Sequence, residues 1–202
     1  MTVRTRALVI TLIVIDAMLA FGASRMPWFP GDLEIARAIQ HFVPMPIQSA
    51  QFITASANKP WCFVLLAATV AVVWAMYGWR EAMAAVPIFF ALWLLGIWLS
   101  PLIAQPRPTA DMINVVGHPK GYAFPSIFGL IYGATFGYLG VLALVRPRTT
   151  ARVAVAIVAL LFLLEGIDAR VVLGAHWPSD LLASYLFAVT LIIAVPPFAK
   201  DA

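Results

Sequence analysis

His176, Trp177, Pro178, Ser179 and Asp180 stand together near the end of a strongly apolar chain, and Arg170 lies six residues before the histidine. A carboxylate four residues after an imidazole can reach back to one ring nitrogen. That contact fixes the tautomer and leaves the other nitrogen free as a base or nucleophile. The same spacing fits a plainer reading, in which Asp180 or Ser179 caps a helix begun by Pro178 and His176 sits among headgroups. Spacing alone leaves both open. Arg107, set between Pro106 and Pro108, adds a second guanidinium. Two such groups can grip a phosphate bidentately and offset charge growing on its oxygens. Taken singly, Arg170 can snorkel and Arg107 can bind headgroups. Ser126 follows Pro125 at a helix start, where a hydroxyl and free backbone N–H groups make either an anion site or a simple N-cap.

The elements that must position these groups are read from composition. Of 202 residues, 63% are hydrophobic and 11% charged, and the mean hydropathy is +0.94. A soluble domain of this size lacks the polar surface to cover so much apolar material, so the solvent is lipid. Apolar stretches long enough to cross a bilayer lie near 6–24, 61–79, 83–103, 126–145, 152–173 and 179–197. The expected fold is therefore all-α, a polytopic bundle of six transmembrane helices in a single membrane domain, 1–202. The first stretch is longer than a typical signal core and contains Asp16, so it is read as a retained helix. Trp and Phe along the spans are read as lipid-facing or packing groups.

The segment 25–60 is broken by Pro27, Pro30, Pro44, Pro46 and Pro60. Within it, 31–42 has apolar residues at helical spacing, which fits a short amphipathic helix in the interface, with Asp32 and Glu34 in its first turn. His41 on this helix is read as an ordinary interfacial residue. Cys62, the sole cysteine, lies in an apolar run, which excludes a disulfide framework or cysteine metal site. One site histidine and scattered carboxylates make no ligand set, so no metal and no cofactor are expected. A net charge of +4 without a dense basic stripe argues against nucleic acid as a partner.

Basic residues in the connections speak to topology. Arg4, Arg6, Arg80, Arg146, Arg148, Arg152 and Lys200 fall on one side, and Arg25, Arg37, Lys59, Arg107, Lys120 and Arg170 on the other. Seven against six decides little until Arg107 and Arg170 are set aside as functional. The expectation is then cytoplasmic termini and 25–60 on the opposite face. Under it, 105–108, the start of the fourth span and 170–180 reach one extracytoplasmic surface.

These residues resemble the type 2 phosphatidic acid phosphatase (PAP2) family, which shares a helical core with vanadium haloperoxidases. Ala169 to Asp180 looks like the family's third motif, Ser-Arg-x5-His-x3-Asp, with only the leading Ser replaced, by Ala169. Gly121 to Ser126 resembles the approach to the second motif, Pro-Ser-Gly-His, and Arg107-Pro108 the end of the first, Lys-x6-Arg-Pro. The resemblance covers roughly 93–190, the PAP2-like core. It implies His176 as a nucleophile forming a phosphohistidine, Asp180 as its orienter, and Arg107, Arg170 and Ser126 as phosphate ligands. Two positions depart from the pattern. Ser100 stands where the first motif has Lys, and Ile127-Phe128 where the second has Gly-His, the general acid. Losing such an acid slows a reaction by about 10²–10⁴-fold, with less effect on a diphosphate, whose leaving group needs no proton. His118 is the candidate substitute donor, with Lys120 and Asp111 in the same loop as alternatives.

The resemblance implies a membrane phosphatase for a polyprenyl diphosphate or phosphatidic acid class of lipid, in the cytoplasmic (inner) membrane of a bacterium. The competing expectation is a catalytically degenerate relative that binds or translocates phospholipids through the same cleft. Transport of small solutes lacks the repeated half or paired broken helices that transporters show. A membrane lipid is the expected partner, and a homo-oligomer is left open.

Overall fold

Long apolar runs interrupted by Pro, Gly and charged residues fold as helices, and the computed structural model describes residues 3–195. Among these residues there is no strand. In chain order the helices are α1 (Val3–Arg25), α2 (Asp32–Phe42), α3 (Ile47–Ser56), α4 (Trp61–Tyr77), α5 (Trp79–Ile103), α6 (Ile127–Tyr132), α7 (Tyr138–Val145), α8 (Thr150–Val172) and α9 (Pro178–Ala194). A π-helical turn, Gly133–Gly137, joins α6 to α7, so Ile127–Val145 forms one 19-residue span.

Among the described residues, four helical stretches are long and apolar enough to cross a membrane: α1, α5, Ile127–Val145 and α8. α3 and α4, bent by 68° at their junction, make a fifth when taken together. α9, at 17 residues, is apolar and near the lower limit for a bilayer. Against the six spans expected from hydropathy, four to five are found among the described residues, with α9 a shorter apolar helix at the sixth position, and the chain is an integral membrane protein. The end of the sixth expected span and Lys200 lie outside the described residues. Exposed tryptophans bracket the apolar zone, with Trp61 and Trp98 toward one end of α4 and α5 and Trp74 and Trp79 toward the other. At 1.5 Å per residue the two pairs stand about 20–28 Å apart along their helices, close to the thickness of a hydrocarbon core.

The centre of the bundle is Ile127–Val145, whose apolar window is 72% buried against 17% for α1 and for α8. It approaches α9 closely because small residues face each other. A Cβ on Gly129 would lie 2.8 Å from Ser184 Cβ, and one on Gly133 2.5 Å from Ala188 Cβ. In lipid such close backbone approach takes the place of a hydrophobic driving force between helices.

Two expectations about boundaries are corrected. Arg80 and Glu81 form no loop: α5 begins at Trp79, and Glu81 in its first turn pairs with Arg146 at 2.8 Å. That pair ties the α4–α5 corner to the end of α7, away from the site. The segment 25–60 holds two helices, because Pro46 starts α3 where only one helix was expected. Both pack on α8.

Asp32 is a main fastener of the opposite end. It is buried, and its Oδ1 accepts from Ser179 N at 3.0 Å. Its Oδ2 accepts from Ser179 Oγ at 2.6 Å and Phe29 N at 2.9 Å. One carboxylate thus sits at the N-termini of both α2 and α9, where helix dipoles favour negative charge.

Candidate active site

Three chain segments meet at the end of the bundle that Asp32 fastens. After α5, Ala104 turns the chain out of the helix with a positive φ of 56°. Gln105 is buried, its carbonyl accepting from Ala123 N at 2.9 Å and its Nε2 donating to Met26 O at 3.3 Å. Trp177 Nε1 donates to Pro106 O at 3.2 Å, which draws the loop after α8 onto the loop after α5. Gly174, at φ 63°, makes the turn before His176. A Cβ there would run into the Asn114 carbonyl and lie 2.8 Å from Val115 Cα. That close approach fits glycine alone, and Val116 N donates to Leu173 O at 3.0 Å beside it.

His176 is 2% exposed. Its Nδ1 lies 3.3 Å from Asp180 Oδ2, and the same oxygen accepts from Trp177 N at 2.9 Å. The two readings that spacing left open are therefore combined: Asp180 caps α9 and faces the imidazole with one oxygen. The other ring nitrogen, Nε2, is 3.1 Å from Arg107 Nη1 and 3.2 Å from Ser126 Oγ. A guanidinium can only donate, so Nε2 carries the lone pair and Nδ1 the proton, which it gives to Asp180. Burial, then the positive charges of Arg170 and Arg107, hold His176 well below its ordinary pKa. Its neutral form is the stable one.

Arg107 is held in place by carbonyl groups. Its Nε donates to Lys120 O at 3.1 Å and Gly121 O at 3.3 Å, and its Nη1 makes a close bond to Ala175 O. Burial lowers its pKa and Asp180 opposes that, yet a guanidinium stays charged across the physiological range. Ser126 caps α6 by accepting from Gly129 N at 3.2 Å. Its own N–H donates to Ser184 Oγ at 2.9 Å, and Ser184 Oγ donates to Asp180 O at 2.6 Å. The hydroxyl that caps α6 also meets His176 Nε2.

Arg170 reaches the cluster from the end of α8. Nη1 donates to Thr54 Oγ1 at 3.3 Å, and the guanidinium lies over the Phe128 ring at 5.4 Å from its centroid. Its buried Nε has no partner among the described residues. A buried donor left unpaired is costly, and its residue lines a cavity of about 300 Å³. Arg107, Arg170 and His176 all line that cavity, and Ser126 contacts His176 Nε2 without lining the cavity itself.

The departures from the motif pattern line the same space. Ser100, Ile127 and Phe128 all face it. Phe128 stacks on Tyr132 with ring centroids 4.1 Å apart, so its ring is held beneath Arg170. Of the substitute donors, His118 is exposed and does not line the cavity, whereas Lys120 does. Asp111 is exposed, and a hydrogen bond from Thr109 lowers its pKa, which keeps it ionised and unsuited to give a proton. Sequence reasoning missed Thr54 and Asn58, which reach the cavity from α3 and its C-terminal turn. The short polar pattern Thr54-Ala-Ser-Ala-Asn58 between apolar runs was the available signal.

No protein-family model and no curated protein matches the chain. Among solved structures, it is similar to the crystal structure of the first transmembrane PAP2 type phosphatidylglycerolphosphate phosphatase from Bacillus subtilis, with a TM-score of 0.63. Identity is 18%, over 95% of this chain and 96% of that one. The likeness is one of fold: an all-helical membrane bundle of PAP2 type.

Proposed function

We propose that this chain is a membrane phosphatase that removes phosphate from a phosphorylated lipid through a phosphohistidine on His176. The observation that carries the reading is the arrangement about one imidazole. Nδ1 faces Asp180, while Nε2 meets Arg107 and Ser126, and His176, Arg107 and Arg170 line one cavity. Nε2 bonds to phosphorus as the bond from phosphorus to the lipid-side oxygen breaks, and that oxygen leaves with the lipid. Arg107, Arg170 and Ser126 hold the equatorial oxygens, and Asp180 supports the imidazolium that forms. Water then breaks the P–N bond.

The site belongs to a single membrane domain whose catalytic core runs over 93–190, with 25–60 covering the site end. The bundle end away from the site carries Arg80, Arg146, Arg148 and Arg152. By the positive-inside tendency the site faces the extracytoplasmic side of a bacterial cytoplasmic membrane. A second reading, a degenerate protein that only binds or translocates phospholipids, draws on Phe128 standing where the related motif has its acid.

Phosphate release from a panel of lipid monophosphates and diphosphates by the purified protein separates the two. Release that disappears in His176→Ala, together with an acid-labile phosphoenzyme in the wild type, supports the enzyme. Absence of release from every lipid sinks it and leaves the binder.

A further inference from the structure

The reading above needs one phosphate subsite, yet the cavity offers more. At about 30 Å³ of liquid per water, a space of about 300 Å³ holds roughly ten waters, more than a single phosphate occupies. Arg107 and Ser126 meet His176 Nε2, and Arg170 lines the same cavity as Arg107 and His176. Asn58, Ser100 and Lys120 also line this cavity. They supply an amide, a hydroxyl and an ammonium, all able to donate to oxygen anions. Lys120 comes from the loop that Arg107 grips through the Lys120 carbonyl, so the two cations are linked through one stretch of backbone.

Chemistry narrows what this second group of donors serves. An alkoxide leaving group needs a proton, and the position beside Ser126 where an acid is expected is filled by Ile127 and Phe128. A phosphate leaving group needs charge neutralisation instead. We infer that Asn58, Ser100 and Lys120 form a second anion subsite, which makes a diphosphate group the substrate feature this cavity selects. The inference rests on the phosphatase reading for its chemistry, but not for the binding it requires. In the reaction, His176 Nε2 bonds to the terminal phosphorus and the bond from that phosphorus to the bridging oxygen breaks. The electron pair stays on the bridging oxygen, which leaves on the inner phosphate, held by Lys120, with no proton transferred. Water then adds to the phosphohistidine and the P–N bond breaks. Inorganic phosphate departs, and the water's proton passes to it or to solvent.

The test uses the full chain in detergent, with inorganic phosphate and inorganic pyrophosphate as calorimetric probes. Pyrophosphate should bind about tenfold tighter than phosphate, the equivalent of about 1.4 kcal/mol. Lys120→Ala should erase most of that ratio while leaving phosphate affinity within about twofold, and Lys120→Arg should retain it. Lys59→Ala, at a lysine outside the cavity, controls for general charge. Equal affinity for the two probes, or a parallel loss of both in Lys120→Ala, overturns the subsite. Phosphate release is followed from a polyprenyl diphosphate, the matching monophosphate and inorganic pyrophosphate. Release from either diphosphate at least about tenfold faster than from the monophosphate supports the inference, and the faster of the two tells a lipid headgroup from a free anion. Release from the monophosphate at an equal rate overturns it while the phosphatase stands. A pyrophosphate preference without any turnover upholds the subsite and defeats the phosphatase.

Discussion

Two sets of residues about one cavity, which we call walls although they touch where Arg170 lies over the Phe128 ring, have been built to different standards. On one, His176, Asp180, Arg107 and Ser126 are interlocked by bonds of 2.9–3.3 Å, and Arg170 waits with an unpaired buried donor. On the other, Ser100, Ile127 and Phe128 offer a hydroxyl, a branched alkyl group and a ring. The first wall suits a reaction at phosphorus. The second gives the departing group no proton. On the proposed reading, nucleophile and leaving group are supported by different residues, so each set can be altered separately.

The largest effect is expected from breaking the well-made wall. Arg170→Met keeps the length and apolar stem that pack over Phe128 but removes the charge. Phosphate release should fall by about 10²–10³-fold, the usual scale for losing one donor to a developing anion. Because this interaction strengthens in the transition state, kcat should drop with little change in KM. An equal rise in KM with kcat intact would place Arg170 in ordinary headgroup binding.

Converting the second wall sharpens the comparison from the other side. A chain carrying Ile127→Gly and Phe128→His should hydrolyse lipid monophosphates about 10–10²-fold faster than the natural protein. Release from a diphosphate should change by less than about threefold. Glycine in the first turn of α6 costs about 1 kcal/mol of helix stability, so folding is checked by thermal melting alongside. A general rise on both substrates would mean that bulk at Ile127, rather than the missing proton, had been limiting.

The good wall was legible in sequence because its parts are local or framed by proline. Asp180 sits four residues from His176, Pro178 marks the start of α9, and Arg107 is fixed between Pro106 and Pro108. Hydropathy likewise located the spans within a few residues. What sequence could not supply was contact across long separations. Asp32 satisfied a local role in α2, and nothing in its neighbourhood pointed to Ser179, 147 residues away. α3 lies between prolines in a segment with too few residues for a clear helical period, so Thr54 and Asn58 stayed hidden. The choice between His118 and Lys120 turned on the path of a glycine-containing loop, and Gly117 and Gly121 both adopt positive φ there. Side-chain type offered no means of deciding it.

Acid should act on the well-made wall through its imidazole. Burial and two guanidinium groups keep His176 neutral when folded, whereas in the unfolded chain it takes a proton near its ordinary pKa of about 6.5. The folded pKa is the lower one, so the unfolded state binds more protons as pH falls. The contribution to stability is complete above about pH 6.5 and declines below it. Activity should hold level from about pH 8 to below 6.5, because the nucleophile stays unprotonated there. In His176→Gln the acid-side loss of thermal stability should shrink. A rate that halves near pH 6.5 would show a solvated, ordinary histidine.

The smallest effect tests whether the two walls depend on their shared fastening. Asp32→Ala removes the acceptor that Ser179 N and Oγ and Phe29 N share, leaving the first turns of α2 and α9 without their carboxylate. Losing a helix cap of this kind costs about 1–2 kcal/mol, which in a chain of this size lowers Tm by about 2–8 °C. Asp32→Asn keeps an oxygen for Ser179 but gives up the charge favoured at a helix N-terminus, so it should lie between the two. Trp177, Asp180 and His176 all lie within a turn of Ser179, whereas Phe128 is fixed by stacking on Tyr132 in the middle of the bundle. Loosening α9 should therefore disturb the wall that holds the nucleophile and spare the other. The measurable sign is a lower kcat in Asp32→Ala with an unchanged preference between diphosphate and monophosphate. A shift in that preference would mean that the walls move together and are one device.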